Sequence, residues 1–188
     1  MDEDMNMDES VPRAKPGPLA GQSPKHVDFE LPALPSQGSD ASVDEAIVSM
    51  LTERLTPRAT EMRDGEPASA LELVRRGLPF AAFENLVQAV GAPQREVARA
   101  VGMAATTLGR RRKKGRLTPI ESDHVMRIAR LAALARELMA GDPDAASAWL
   151  RTPHALLDEE TPLSIAATET GGREVERLIG QLRHGVFS

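Results

Sequence analysis

The stretch of residues 94–116 constrains this chain most, because it concentrates positive charge in an otherwise acidic sequence. Its eight basic residues stand against a single acid, Glu96, so its net charge is +7, whereas the whole chain carries −5. Charge concentrated in this way is typical of a surface that binds a polyanion, and DNA is the first candidate.

The apolar residues of the same stretch predict a helix-turn-helix. Ala98 is small enough for a second helix to cross closely. Gly102, four residues later, allows a positive φ in a tight turn without a Cβ penalty. The residues predicted to pack between the two helices are Val97, Val101 and Leu108. The second helix, over residues 104–114, would then present side chains to the edges of bases.

Two groups of side chains on and after this second helix are predicted DNA contacts. Those predicted to read bases are Thr106, Thr107 and Arg110. Those predicted to hold phosphates are Arg111, Arg112, Lys113, Lys114 and Arg116. Arg111 departs from the pattern, because an apolar residue is expected three positions beyond Leu108. The alternative is that the basic run is only a solvated charged surface or a nonspecific polyanion arm.

Composition predicts an all-α fold. Apolar residues make up 41% of the chain and aromatic residues only 3%, and no alternating β-branched run appears. The absence of cysteine excludes disulfides and thiolate metal sites and fits a reducing cytoplasm. We expect neither a membrane span nor a signal peptide, since the sequence begins M-D-E-D-M-N-M-D-E-S and has no sufficiently long apolar run.

The chain divides into four segments. Residues 1–41 are rich in Pro, Ser, Gly and acid, and are predicted to be a disordered tail. Residues 42–69 are predicted to hold a short helix and a linker, residues 70–141 the helix-turn-helix domain with a long connecting helix, and residues 142–188 a small helical domain. The first ten residues contain five acids and no base, so they either solubilise the chain or compete with DNA for the basic helix.

Capping residues and apolar spacing predict the remaining helices. Thr118 and Glu121 form a capping-box pattern at the start of the long helix, which Gly141 would end. Two further helices are predicted over 70–76 and 83–90. Three more are predicted to begin at Pro93, at Asp142-Pro143 and at Thr161-Pro162. The last of these would break at Gly171-Gly172, and a final helix would end before Gly185.

Three blocks of residues share patterns with one family. The first is V-R-R-G-L-P at 74–79, and the second is T-L-G-R-R-R-K-K-G-R-L-T-P-I-E-S-D at 107–123. The third comprises Ala148, Trp149, Leu150, Pro153, Thr161, Pro162, Leu163, Thr170, Gly171, His184, Gly185 and Val186. In this order they resemble the Xre/MbcA/ParS-type antitoxins, specifically the Xre partner of RES toxins. Residues 156–160 read L-L-D-E-E where that family commonly has a Leu-Gly-Gly turn, so the resemblance does not fix the shape of this loop.

The resemblance implies an antitoxin with two activities. It would hold a NAD-degrading RES-type toxin inactive through residues 142–188, and repress its own operon by binding operator DNA. Toxin contacts are expected from Trp149, Leu163, His184, Val186, Phe187 and Ser188. Trp149 is either an interface anchor or a core anchor, and Phe187 is an apolar residue that we expect to dock on the partner.

The assembly and the function leave alternatives. One recognition helix covers only a few base pairs, so a homodimer on two half-sites is expected. Two functions other than that of an antitoxin are also compatible with the sequence. The chain is either a repressor whose C-terminal domain senses a small molecule, or an interaction protein whose basic block binds an acidic partner surface instead of DNA.

Nothing in the sequence indicates an enzyme. Ser122, Asp123 and His124 are consecutive on one predicted helix, so they point in different directions and do not form a triad. The four histidines show no i, i+4 pairing, and there is no cysteine. We therefore predict no metal and no other cofactor.

Overall fold

The computed structural model describes residues 47–52 and 69–185, and every regular element in these ranges is a helix. Residues 47–52 are helical. The later helices are α1 (Ala70–Arg76), α2 (Phe80–Val90), α3 (Gln94–Ala100), α4 (Ala105–Lys114), α5 (Pro119–Leu138), α6 (Pro143–Arg151), α7 (Pro162–Ile165) and α8 (Glu169–His184), with a 3-10 turn at Ala155–Leu157. The all-α prediction is confirmed. The predicted disordered tail over 1–41 lies outside the described residues, as does most of the predicted linker.

Side-chain caps determine where α5 and α6 begin. The Thr118 hydroxyl accepts the Glu121 N–H at 3.3 Å, and the Glu121 carboxylate accepts the Thr118 N–H at 2.8 Å. Asp142 Oδ1 accepts the N–H groups of Asp144 and Ala145 at 2.9 and 3.1 Å. These bonds satisfy first-turn donors that have no partner within the helix. The predicted starts of α5 and α6 are confirmed.

The longest described helix, α5, packs against elements from both ends of the described chain. It contacts α1, α2, α6 and α8. Its buried side chains recur every three or four residues and so form one wide stripe. They are Ser122, Val125, Ile128, Ala129, Leu131, Ala132, Ala135 and Leu138. This stripe lets a single helix serve the core of the helix-turn-helix and the core of the C-terminal helices.

The helical residues 47–52 dock on α2. Ile47 and Leu51 are each only 1% exposed. Asn85 of α2 donates from Nδ2 to the Leu51 carbonyl at 2.9 Å. This segment, which precedes the first of the family-like blocks, therefore belongs to the packed structure.

Helix α2 begins three residues earlier than predicted, at Phe80 rather than Phe83. Pro79 precedes its first turn with φ −55°, which proline fixes without strain. The Phe80 N–H donates to the Gly115 carbonyl at 3.0 Å. A partner 35 residues away thus satisfies a first-turn donor, and apolar spacing within α2 cannot show this.

The predicted break at Gly171 and Gly172 is wrong. Helix α8 begins at Glu169, and the Thr168 hydroxyl caps it by accepting the Gly171 N–H at 3.0 Å. A Cβ on Gly171 would collide with the carbonyl of Ile165. Gly171 is therefore explained by the close approach of α8 to the end of α7, and Gly172 faces the Arg127 side chain of α5, so neither glycine terminates a helix.

The turn that departs from the Leu-Gly-Gly pattern has a left-handed backbone at two positions. Asp158 has φ 52° and Glu159 has φ 60°. The N–H groups of Leu157 and Glu159 both donate to the His154 carbonyl, at 2.9 and 3.1 Å, and close the turn. Glycine adopts this conformation freely, whereas residues with a Cβ are strained in it. The turn thus has a backbone that suits a glycine pair, but it is built from an aspartate and a glutamate.

Replacing Glu159 with glycine should raise the free energy of unfolding by about 1 kcal/mol, because the strain of the left-handed backbone is removed. Urea unfolding followed by circular dichroism measures the change. Glu160→Gly is the matched control, since Glu160 is not among the described residues with positive φ. Glycine there increases the freedom of the unfolded chain and removes the exposed bond that the Ser164 hydroxyl donates to Glu160 at 3.2 Å, so it should destabilise. Equal losses for both variants would contradict this account of the turn.

Candidate functional site

Helices α3 and α4 are joined by the predicted tight turn. Val97, Ala98 and Val101 are buried at 0%, 3% and 1% exposure. The Met103 N–H donates to the Ala98 carbonyl at 2.7 Å and brings the chain back after the turn. Gly102 has φ 76°. The register predicted from Ala98 and Gly102 is confirmed.

No residue of α4 is fully buried. Thr106 and Arg110 are exposed, and Thr107 is half-buried. Leu108 is also only half-buried, so the prediction that it packs fully between the two helices is wrong. Because α4 gives so little of its surface to the core, nearly all of it faces outward and is open to a partner.

The C-terminal part of α4 is attached through charged groups. Arg111 Nε donates to both carboxylate oxygens of Glu121, at 2.9 and 2.7 Å, and both side chains are largely buried. Arg111 therefore takes the place of the expected apolar residue and does not face solvent with the other basic side chains. The Arg112 guanidinium lies 5.3 Å from the centre of the Phe80 ring and 3.7 Å from Glu84.

The other predicted phosphate contacts are all exposed, but only one of them has a hydrogen bond described below. Lys113 and Lys114 are exposed. Arg116 is exposed as well, but its Nη1 donates to the carbonyls of Arg76 and Gly77. The structure therefore brings the two lysines to the outer surface of α4 and uses part of Arg116 to fasten the neighbouring loop.

The loop between α1 and α2 is bonded to the start of α5. The Leu78 N–H donates to Ser122 Oγ at 2.8 Å, and the Ser122 hydroxyl donates to the Thr118 carbonyl at 2.7 Å. The Leu117 N–H donates to the Leu78 carbonyl at 2.9 Å. Gly77 has φ 78°, and a Cβ there would collide with the Leu117 carbonyl. We call this bonded set, residues 77–80 with 115–122, the clasp.

The structure gives Ser122 and His124, two of the three consecutive residues Ser122, Asp123 and His124, roles in holding the fold together. Ser122 is fully buried in the clasp, and Asp123 is exposed. His124 Nδ1 lies 3.0 Å from the Val101 carbonyl, where it binds the turn of the helix-turn-helix. Sequence reasoning found neither the role of Ser122 nor that of His124, because their partners are distant in the chain.

Burial alone would raise the pKa of Glu121, but hydrogen bonds from Thr118 and Arg111 favour its charged form more strongly. The pKa of this carboxyl therefore lies below its ordinary value. A carboxyl with a lower pKa in the folded state stabilises the fold above its unfolded pKa. That contribution is lost as the pH falls through the folded pKa.

Of the six predicted toxin contacts, two lie in the core, one is exposed and three lie outside the described residues. Trp149 and Leu163 lie in the core at 1% and 2% exposure, so neither presents a surface to a partner. The Trp149 ring packs on His154 with 4.9 Å between ring centres, and burial lowers the pKa of that histidine. His184, the last residue of α8, is exposed. Outside the described residues lie Val186, Phe187 and Ser188.

The C-terminal helices are also bonded to the helix-turn-helix half. Ser147 of α6 donates from Oγ to the Val90 carbonyl at the end of α2, at 2.7 Å. Arg183 of α8 lies 2.9 Å from Glu137 of α5. Helices α5, α6 and α8 therefore connect the basic half of the described chain with its C-terminal part.

The described residues were also compared with the requirements of a metal site and of a membrane-spanning helix. Among residues 47–52 and 69–185, no group of three or more His, Asp or Glu side chains is placed to hold a metal ion. No described helix is long and apolar enough to cross a membrane.

A helix-turn-helix with a basic, outward-facing second helix defines a DNA-binding protein, here with a further helical domain. The sequence model of the family described as the antitoxin Xre-like helix-turn-helix domain matches residues 69–130. The model of the antitoxin Xre/MbcA/ParS C-terminal toxin-binding domain matches residues 134–185. The two matches meet within α5.

Two curated relatives are similar over most of their length. A protein named antitoxin Xre from Yersinia enterocolitica is 37% identical over 136 residues, which is 70% of this chain and 92% of the relative. Another antitoxin Xre, from Photorhabdus laumondii, is 31% identical over 117 residues, 62% of this chain and 79% of the relative. The chain belongs to the Xre family of type II antitoxins, which are not enzymes.

Replacing Glu121 with glutamine should lower the free energy of unfolding by about 1–3 kcal/mol at neutral pH, because Arg111 would keep a largely buried charge without its partner. The loss should shrink as the pH falls below the ordinary value of 4.5, where the native carboxylate itself becomes protonated. Chemical unfolding between pH 3 and pH 7 measures both effects.

Glu84→Gln is the matched control for this change. The half-exposed Glu84 carboxylate pairs with Arg112 at 3.7 Å, so its loss should cost less than about 0.5 kcal/mol. Equal costs at the two positions, or a loss at Glu121 that does not depend on pH, would show that the Arg111–Glu121 pair does not hold α4.

Proposed function

We propose that this antitoxin holds a RES-type, NAD-degrading toxin inactive and represses its own operon by binding operator DNA through α4. One observation carries the DNA half: the second helix of the helix-turn-helix has no fully buried residue and exposes Arg110, Lys113 and Lys114. The toxin half rests on the match of residues 134–185 to a toxin-binding domain. The resemblance of the three sequence blocks to the Xre partner of RES toxins supports the choice of toxin class.

Position along α4 divides the proposed DNA contacts into two groups. Thr106 and Thr107 lie in its first turn and Arg110 lies near its middle, and we assign all three to base edges in the major groove. Lys113 and Lys114 end the helix, and we assign them to phosphates, which fix the register of the protein on the duplex. This division follows the usual docking of a recognition helix, whose N-terminal residues meet the bases.

The three remaining arginines of the basic run have mixed roles in the proposal. Arg111 acts as a positioning residue, because its bonds to Glu121 hold α4 against α5. Arg112 remains 55% exposed and is available to a phosphate beside its contact with Phe80. Arg116 both fastens the α1–α2 loop and adds positive charge next to α4.

The same proposal includes a homodimer on DNA. A single recognition helix reads only a few base pairs, and two copies related by a twofold axis read two half-sites about 34 Å apart. The operator should then be an inverted repeat with half-sites spaced by about one helical turn.

The proposed toxin contact lies at the end of α8 and just beyond it. His184 is exposed there, and the residues that follow the helix include Val186, Phe187 and Ser188. We propose that Phe187 inserts into a cleft of the toxin, where burial of one such side chain contributes roughly 1.5–3 kcal/mol. Trp149 and Leu163 lie in the core, so this proposal gives them no direct contact with the toxin.

Arg110→Ala and Lys113→Ala should weaken DNA binding in different ways. Loss of Arg110 should relax discrimination at one base pair by about 1–3 kcal/mol. Loss of Lys113 should weaken binding to all sequences alike and flatten the salt dependence by about one unit of slope. Fluorescence anisotropy with the upstream DNA of the chain's own gene and with random DNA, over a range of salt, measures both. Equal affinity of the native chain for the two DNAs at physiological salt would contradict the proposed repression.

Deleting residues 186–188 should release toxin activity but leave much of the complex intact, because the helical surface of residues 142–185 still binds. Pull-down of the toxin measures binding, and growth of cells that co-express the two proteins measures inhibition. Phe187→Ala should reproduce the deletion, because it removes the side chain that we propose fills the cleft of the toxin. Full protection by the shortened chain would mean that docking alone inhibits the toxin.

A further inference from the structure

We propose that Arg75 and Arg76, the last two residues of α1, bind DNA phosphates beside those bound at the C-terminal end of α4. This inference rests on the proposed DNA-binding function of α4 and extends that surface to a helix outside the helix-turn-helix. Its starting point is the block V-R-R-G-L-P at 74–79. The clasp explains Gly77 and Leu78 of this block, whereas the two arginines before them are exposed.

Arg116 connects the end of α1 with the end of α4. It is the second residue after α4, and its Nη1 donates to the carbonyls of Arg76, at 3.3 Å, and of Gly77. Backbone bonds fix this arrangement on both sides. The Phe80 N–H donates to the Gly115 carbonyl at 3.0 Å, and the Leu117 N–H donates to the Leu78 carbonyl at 2.9 Å. The last turn of α1 therefore has a fixed place next to the residue that follows α4.

The end of α1 gathers positive charge. Arg75 and Arg76 are exposed, and Arg116 adds a third guanidinium from across the clasp. Glu72, the acid of the same helix, accepts the Ser69 N–H and hydroxyl at 3.0 and 2.9 Å, so its carboxylate is engaged in the cap at the other end of α1. A cluster of exposed cations of this kind attracts a polyanion.

The helix dipole explains only part of this charge. Cations are favourable in the last turn of a helix, where carbonyls without a helical partner carry partial negative charge. Helix α1 has only seven residues, and Arg116 already binds the carbonyls at its end. Two further arginines at the same end therefore need another partner.

The position of α1 favours DNA as that partner. The N-terminal part of α4 is assigned to base edges, so its C-terminal end and Arg116 lie toward the phosphates. Helix α1 belongs to the matched helix-turn-helix domain, residues 69–130, whereas the toxin-binding match begins at residue 134. The arginines of α1 thus continue the proposed row of phosphate contacts and do not read bases.

Phosphate contacts have a definite signature in binding measurements. Each cation that neutralises a phosphate releases condensed counterions, and its loss lowers the slope of log K against log salt by about 0.9. Binding to every DNA sequence weakens by the same factor. The preference for operator over random DNA then stays unchanged.

The test replaces both arginines with glutamine, R75Q/R76Q, in the full-length chain, which removes two charges but keeps good helix-forming residues. We expect the affinity for operator and for random DNA to fall about ten- to thirtyfold at physiological salt, and the salt slope to fall by about two units for each bound copy. The charge-preserving variant R75K/R76K should bind both DNAs within about threefold of the native chain, because lysine also pairs with phosphate.

Arg136→Gln is the matched control for loss of an exposed positive charge. Arg136 is exposed near the far end of α5, where its Nε donates to the Gly141 carbonyl at 3.0 Å. It lies about 22 Å along this helix from Glu121, which holds α4. Exposed charges are screened over about 8 Å at physiological ionic strength, so this variant should bind DNA as the native chain does.

Ethylation interference locates the contacts on the DNA. In the complex with R75Q/R76Q, one or two phosphates per half-site should become insensitive to ethylation. They should lie next to the phosphates that lose their effect in the complex with Lys113→Ala. An unchanged interference pattern would contradict a direct contact from α1.

An affinity and a salt slope that stay native in R75Q/R76Q would overturn the inference. If pull-down of the toxin were then weakened, the two arginines would belong to the toxin contact instead. A loss that R75K/R76K shares in full would also overturn it, because the charge would not be the cause.

The proposed repression fails separately. A native chain that binds operator and random DNA equally well loses that function, but its salt slope on random DNA still decides whether Arg75 and Arg76 contact phosphates. A native chain that prefers operator, with R75Q/R76Q unchanged, leaves repression standing and removes only the role of α1. Binding of neither DNA would overturn both proposals.

Discussion

Helix α5 is the element on which both halves of the described structure depend. Its first turn holds α4 through the pair of Glu121 with Arg111, and holds the α1–α2 loop through the bond from Leu78 to Ser122. Its last turn reaches α8 through the pair of Glu137 with Arg183. The two matched family domains meet on this one helix. A displacement of α5 would therefore be felt at the DNA surface and at the toxin surface together.

The way α4 is held follows from its function. A helix that packs an apolar stripe into the core gives up part of its surface, whereas no residue of α4 is fully buried. It is fastened instead near its C-terminal end, by Arg111, by the contact of Arg112 with Phe80, and by the bond from the Phe80 N–H to the Gly115 carbonyl. The exposed basic side chains therefore remain available to a polyanion.

Local signals in the sequence predicted the all-α fold, the turn register of Ala98 and Gly102, and the caps at Thr118 and Asp142. Each of these depends on residues within a few positions of one another. The errors concern contacts between different helices. Gly171 packs against the end of α7, and the bond that Ser122 accepts comes from a residue 44 positions away. Burial of Trp149 and Leu163 likewise depends on how helices assemble, which composition does not reveal.

Hydrogen exchange of the full chain, alone and bound to its operator or to its toxin, tests the central claim most directly. We expect operator DNA to slow exchange in α4, and the toxin to slow it around the end of α8. Backbone amides of α5 should exchange most slowly in all three states, because this helix is buried by both halves. Operator DNA that leaves α4 unchanged, or an α5 that exchanges as fast as the loops, would contradict the account.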